Sequence, residues 1–333
     1  MKPEQVKKLS LGYYPTPLQR MTRLEDKLGA GPLYIKREDL SDIGLGGNKI
    51  RKLEYLVQDA LQQGCTALLT YGGSQTNHGR LTVAAAVRQG MKAILLLDGE
   101  KPAYYSGNLV LDGLMGADIR FIGDQNEEEL TQKVVREYAE RNEKVYVIPM
   151  GGSNTLGALG YIQMIPELMD QIGEEHLTTK ALVCGAGSMG TFAGLWLGAA
   201  YYHAPFEVVG VTINPYTTYT PEGICQYINA ISREYEMGIE CRPEQLHLER
   251  AYAGLGYNVP DEKTMDAIEL LAQTEAIFLD PCYTGKVFNG YVNMIKNGTI
   301  QAEDAIFLHT GGIPGLWSTE HMDALQKRVG GQQ

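Results

Sequence analysis

Cysteine is scarce: the 333 residues hold five, Cys65, Cys184, Cys225, Cys241 and Cys282, with no Cys-x-x-Cys pair among them. So odd and scattered a set excludes a disulfide framework and a structural zinc, and it fits a reducing compartment. Long apolar stretches are missing too. No run approaches ~18 apolar residues, and the start, MKPEQVKKLSLGYYPTPLQR, has no apolar segment, so neither a membrane span nor a secretory signal is expected. Positive charge is short: 29 Lys and Arg against 40 Asp and Glu leave −11, and no basic run exceeds two residues. That excludes a nucleic-acid or acidic-membrane surface and leaves a cytoplasmic globular protein as the expectation. Prolines number only 14 and no Gly-X-Y period occurs, so the chain is not collagen-like.

Glycine is what the chain has in excess. It holds 39, where average usage of roughly 7% predicts about 23. Short apolar runs at Ala67–Tyr71, Ala93–Leu97, Ile119–Ile122 and Val145–Pro149 start about 25 residues apart, the length of one strand plus one crossover helix. Helical spacing at Leu81–Val87 and Leu130–Tyr138 fills the gaps, and strands are also predicted at Ala181–Cys184, Val208–Ile213, Ile277–Leu279 and Ile306–Leu308. Continuous apolar runs suit parallel strands buried on both faces, so the fold expected is α/β with two open, mainly parallel twisted sheets. Glycine pairs follow these strands at Gly72-Gly73, Gly151-Gly152, Gly185-Ala186-Gly187 and Gly311-Gly312. Ligands bind at that edge of open α/β sheets.

A glycine turn at Gly46-Gly47 feeds a helix predicted to run to about Gln63, in which Lys49, Leu53, Leu56 and Ala60 share one face. A lysine on an apolar stripe near the positive end of a helix has its pKa pushed down, which turns an amine into a nucleophile for a carbonyl. The alternative is that Lys49 reaches solvent along its stem. Gly185-Ala186-Gly187-Ser188-Met189-Gly190 matches the dinucleotide pattern G-x-G-x-x-G. The next strand, however, ends on Asn214, where a nicotinamide site wants an acid for the ribose. The same loop, with Ser188 and Thr191, suits one compact phosphate. A phosphate-bearing cofactor and a nucleophilic lysine together suggest pyridoxal 5′-phosphate.

Seven motifs in order then carry a resemblance: Tyr14-Pro15-Thr16-Pro17-Leu18, Ile35-Lys36-Arg37-Glu38-Asp39-Leu40, Gly46-Gly47-Asn48-Lys49, Gly72-Gly73-Ser74-Gln75-Thr76-Asn77-His78, Gly151-Gly152-Ser153-Asn154, Asp280-Pro281-Cys282-Tyr283-Thr284-Gly285-Lys286 and His309-Thr310-Gly311-Gly312. Over nearly its whole length the chain resembles the D-cysteine desulfhydrase / 1-aminocyclopropane-1-carboxylate (ACC) deaminase family. These are fold-type II pyridoxal-phosphate enzymes related to the tryptophan synthase β-subunit. The resemblance implies a larger cofactor-binding domain of residues 1–47 plus 162–333, a smaller inserted domain of 48–161, the cofactor between them, and a homodimer.

It also implies roles for individual residues. Lys49 would bond the cofactor covalently, Asn48 would meet the ring hydroxyl, and Gly187, Ser188, Met189, Gly190 and Thr191 would hold the phosphate. Thr76, Asn77 and His78 would receive the carboxylate of a small amino-acid substrate, Tyr257 and Tyr283 would be the active-site tyrosines, and the Lys49 amine, or a neighbour such as Thr76 or Tyr283, would take the Cα proton. Two departures stand out: Thr76 replaces a family serine, and Ser74 replaces an isoleucine. ACC deaminases carry Glu and Leu where this chain has Thr284 and Thr310, residues expected near the ring nitrogen. A neutral partner there weakens the electron sink, which suits loss of a β-leaving group better than opening of a cyclopropane. The activity expected is therefore D-cysteine desulfhydrase. The alternatives are ACC deaminase or a lyase for another β-substituted amino acid such as cysteate, serine or diaminopropionate. No metal is expected.

Overall fold

A computed structural model describes residues 1–216 and 219–331. Ten strands form two sheets: β1 (Leu18–Arg20), β2 (Leu33–Arg37), β3 (Ala67–Gly72), β4 (Lys92–Leu97), β5 (Asp118–Phe121), β6 (Val145–Val147), β7 (Ala181–Ala186), β8 (Glu207–Thr212), β9 (His247–Glu249) and β10 (Ala305–His309). The first sheet has the order β5-β4-β3-β6 and is wholly parallel; the second, β1-β2-β10-β7-β8-β9, is parallel except at its β1 edge. Twelve helices accompany them: α1 (Thr22–Leu28), α2 (Lys49–Gln62), α3 (Asn77–Arg88), α4 (Asn108–Leu114), α5 (Glu127–Ala139), α6 (Thr155–Ile162), α7 (Met164–Glu174), α8 (Gly190–Tyr201), α9 (Pro221–Glu234), α10 (Glu262–Glu275), α11 (Thr284–Lys296) and α12 (Thr319–Gly330).

Side chains alternate between two cores in each sheet, as strands covered on both faces must. Leu68 and Leu95 pack under α2 and α3, whereas Leu69, Ile94 and Leu96 pack against Leu130 and Val134 of α5. In the second sheet Leu182 and Cys184 face one way and Val183 the other. Helix α2 serves both sheets. Its Ile50, Leu53, Leu56, Val57 and Ala60 lie in the core of the first, while Tyr55 lies in a core of the second together with Ala158, Leu159, Tyr161 and Ile162 of α6. The helices approach closely because Gly160 faces the α2 backbone, where an added Cβ would come within 2.4 Å of Arg51 O.

Two sequence expectations need correction. Ile277–Leu279 is not a strand: it forms no ladder, and the Phe278 carbonyl instead accepts from His309 Nε2 at 3.0 Å. Strands β1, β2 and β9 were not anticipated. β2 carries Lys36 and Arg37 yet is almost wholly buried, and β1 and β9 are edge strands of three residues each. Both sheets reverse their strand order beside a central strand, at β3/β6 and at β7/β10. Such switch points open a crevice at the carboxyl ends of the strands.

Candidate active site

The two crevices meet in one cavity of about 360 Å³. Its wall takes Gly72 and Gly73 from the end of β3, Asp98 from β4, Gly185 to Gly187 from β7, Ile213 and Asn214 from β8, and Thr310 from β10. Of the residues singled out from sequence, Asn48, Lys49, Thr76, Asn77, His78, Gly187, Ser188, Met189, Thr191, Tyr257, Tyr283 and Thr310 all line it. Gly190 and Thr284 do not. Gly190 stands behind the wall, where a Cβ would come within 2.5 Å of Ser153 Oγ and 2.7 Å of Lys52 Nζ. Thr284 is turned inward at the start of α11, donating its hydroxyl to Asp280 Oδ1 at 2.6 Å and accepting from the Asp280 N–H at 2.8 Å.

Lys49 is the first residue of α2, and the apolar stripe behind it is buried as expected. The side chain is half-buried in the cavity wall, and desolvation pushes its pKa down to about 8. Asn48 ties this turn to the opposite wall, its Nδ2 donating to Thr191 Oγ1 at 2.9 Å and its backbone N–H to Thr310 O at 3.1 Å.

Facing Lys49 is the turn from β7 into α8. Met189 adopts left-handed backbone, φ +63°, which bends Ser188 and Met189 around the helix start. The N–H groups of Ser188, Met189 and Thr191 meet no acceptor among the described residues. A helix N-terminus with several free donors is built for an anion, and this cradle is compact enough for a single phosphate. Lys52, missed from sequence, lies behind it. It is fully buried and donates to Gly151 O at 3.1 Å and Ser153 Oγ at 3.4 Å, with no carboxylate partner. Burial, then the neighbouring Lys49 charge, hold its amine well below the usual lysine value. A signal was available: Lys49, Arg51 and Lys52 open a helix whose first turn carries no acid, against the helix dipole. The donors, the buried amine and Lys49 across the cavity fit a phosphate-bearing aldehyde.

Thr76 caps α3, accepting from the Gly79 N–H at 3.2 Å, so the N–H groups of Asn77 and His78 remain free at the cavity. His78 is buried, with Nε2 on Thr70 Oγ1 at 2.9 Å. Because that hydroxyl donates onward to Ile148 O, Nε2 carries the proton, and Nδ1 is left without a hydrogen-bond partner. Burial, with the charges of Lys49 and Lys52, keeps the ring neutral. At the mouth the Tyr257 and Tyr283 hydroxyls touch, their rings edge-on at 5.7 Å, and burial raises both phenols well above the ordinary value. Asp98, Met150, Tyr216 and Tyr219 complete the wall and were not anticipated as site residues, since nothing in their local sequence departs from ordinary loop composition. Among the described residues no helix is long and apolar enough to cross a membrane, and no His/Cys/Asp/Glu cluster could hold a metal.

Comparison with known proteins places the chain in a family. Residues 9–311 match the family described as pyridoxal-phosphate dependent enzyme. A Thermotoga maritima protein, named provisionally as an ACC deaminase, is 40% identical over 319 residues, covering 93% of this chain and 98% of its own. The D-cysteine desulfhydrase of Salmonella typhi is 36% identical over 311 residues, covering 91% and 93%. A crystal structure of an ACC deaminase homologue superposes with a TM-score of 0.87 at 33% identity, over 97% of each chain. The chain is therefore a pyridoxal-phosphate-dependent enzyme and belongs to the family of the D-cysteine desulfhydrases and ACC deaminases.

Proposed function

We propose that the enzyme removes the β-substituent of a small amino acid, converting D-cysteine and water to pyruvate, sulfide and ammonia. One observation carries this choice over ACC deamination. Asp98, which follows β4, is the only carboxylate on the cavity wall among the described residues. Position 284, which is Glu in ACC deaminases, is a threonine bonded to Asp280. A wall that offers hydroxyls there, with the Asp280 carboxylate held behind it by Thr284, suffices when sulfide departs with the electron pair and is poorly suited to opening a cyclopropane. The Asp98 carboxylate also disfavours an anionic β-substituent such as the sulfonate of cysteate.

Bound pyridoxal phosphate supplies the electron sink that makes the Cα proton removable. The chain does the rest. Lys49 Nζ would hold the cofactor covalently and, with its pKa lowered to about 8, would serve as the base for the Cα proton. The N–H groups of Ser188, Met189 and Thr191, with the Lys52 amine behind them, would hold the phosphate, and Asn48 would face the ring hydroxyl. Thr76, Asn77 and His78 orient the substrate carboxylate with two free N–H groups at a helix start. Tyr257 and Tyr283 close the mouth, and movement of the 48–161 unit toward the remainder would exclude water from the reacting carbon. A homodimer in the cytoplasm goes with this reading.

The test is a panel of D- and L-amino acids with thiol, hydroxyl, amine, O-acetyl and sulfonate β-groups, scored for pyruvate, beside ACC scored for 2-oxobutyrate. Pyruvate from D-cysteine without 2-oxobutyrate from ACC is expected. Release of 2-oxobutyrate at a comparable rate would overturn the assignment.

A further inference from the structure

Behind Asn77, outside the cavity wall, lies a clamp of two side chains. Arg80 is fully buried on α3, three residues after Asn77. Its Nη1 donates to Asn77 Oδ1 at 3.1 Å and to Asn108 Oδ1 at 2.7 Å, and its Nη2 to Gly46 O at 2.9 Å. Asn108, buried at the start of α4, completes the arrangement. Its Nδ2 donates to the same Asn77 Oδ1 at 3.0 Å and to Gln75 O at 2.8 Å, while its backbone N–H donates to Gln75 Oε1 at 2.9 Å.

Two N–H donors on one amide oxygen remove the choice an asparagine ordinarily has. Flipping Asn77 would set its NH₂ against the donors of Arg80 and Asn108, leaving buried groups unpaired. Asn77 Nδ2 is therefore the free end, and it meets no acceptor among the described residues. We propose that Arg80 and Asn108 are positioning residues for the substrate carboxylate: they lock the Asn77 amide with its NH₂ as the available donor beside the free N–H groups of Asn77 and His78. The same guanidinium grips Gly46 O in the turn that precedes Asn48 and Lys49, so one buried cation registers the carboxylate site against the amine that meets the cofactor. Asp112, fully buried on α4, acts on it through space without a hydrogen bond, and burial pushes the Asp112 carboxyl itself up to about 7. The proposal rests on the reading that the substrate carboxylate docks at the start of α3.

The test titrates holoenzyme with D- and L-alanine, which carry the carboxylate, and with ethylamine, which does not, reading the visible absorbance of the cofactor. Asn108→Asp keeps an acceptor for Arg80 but sets an oxygen against Asn77 Oδ1, so Asn77 should turn and present its oxygen to the substrate. The expected result is a tenfold or greater loss of affinity for the alanine enantiomer that the wild type binds. Ethylamine affinity and cofactor content should stay unchanged, whereas the melting temperature should fall because Gln75 O loses its donor. Arg80→Lys, which keeps the charge but not the fork, should show the same selective loss to a smaller degree, and serves if Asn108→Asp does not fold. Equal losses for alanine and ethylamine, or none, would overturn the clamp. Asn77→Ala separates the layers. If it weakens alanine selectively while Asn108→Asp does not, the clamp alone fails; if it leaves alanine untouched, the carboxylate reading fails and the clamp with it.

Discussion

Arg51 and Lys52 are neighbours on α2, both buried, and their surroundings treat them oppositely. Arg51 donates to both oxygens of Glu38, Nε at 2.6 Å and Nη2 at 2.9 Å, and to Glu167 at 2.9 Å. Burial alone would lower it, but the charge of Glu38 raises it well above its ordinary value. Glu38, which burial alone would raise, is held at about 2 chiefly by Arg51. Lys52, like Lys49 one turn before it, has no carboxylate partner among the described residues and is pushed down. Lys36 is intermediate: it bonds Glu167, yet burial still lowers it. Burial therefore does not mark a functional cation; what sets Lys49 and Lys52 apart on α2 is burial without an acid beside the cavity. A cation lacking an internal counterion at the wall of a cavity is complete only when a ligand brings the negative charge.

The comparison can be tested from both sides. Lys49→Ala, on the uncompensated side, should have the largest effect, abolishing the visible cofactor band and pyruvate release while leaving circular dichroism unchanged. A retained band would remove Lys49 from its role. On the compensated side, Glu38→Gln should leave Arg51 short of its main counterion. It should lower the unfolding free energy of the apo-protein by roughly 3–5 kcal/mol, read from urea denaturation; a shift under 1 kcal/mol would mean that Glu167 compensates alone. Lys52→Met should split the two properties. Cofactor affinity should fall roughly tenfold to a hundredfold, the worth of a charge-assisted hydrogen bond, while the apo-protein melts higher because an unpaired buried amine is gone. Loss of both together would mark Lys52 as structural.

The smallest effect is a pH dependence. Only the neutral amine attacks the aldehyde, and the Lys49 pKa is lowered to about 8. Cofactor uptake by apo-protein should thus rise roughly tenfold per unit below that pH and level off above it. A rise continuing past pH 10, followed by visible absorbance after mixing, would mean an unperturbed lysine.

Much of this site is legible in the sequence because its parts lie on local signals. The apolar runs of β3, β4, β7 and β8 are short, predominantly apolar and followed by glycine or a polar turn, and the stripe Lys49-Leu53-Leu56-Ala60 is helical by spacing alone. What escaped depends on contacts distant in the chain. Lys36 makes β2 look polar, yet its ammonium is satisfied by Glu167 and Gln171, more than 130 residues away. Ile277–Leu279 has the composition of a strand but finds a histidine side chain where a strand needs a neighbour. Thr284 reads as a site residue from its place after Tyr283, but the start of α11 turns it toward Asp280. The Arg80–Asn108 clamp joins residues 28 apart that carry no motif.

The donor cradle at α8 also has a consequence for traffic to the cavity. The chain carries a net charge of −11, so a free dianionic phosphate ester diffusing in meets repulsion before it meets the cradle. That repulsion reaches only about a Debye length, ~8 Å at physiological ionic strength, whereas the contacts inside act at bonding distance and are screened far less. Added salt should therefore speed the encounter of apo-protein with its cofactor, while a zwitterionic amino acid, with no net charge to steer, arrives at a rate nearly indifferent to it.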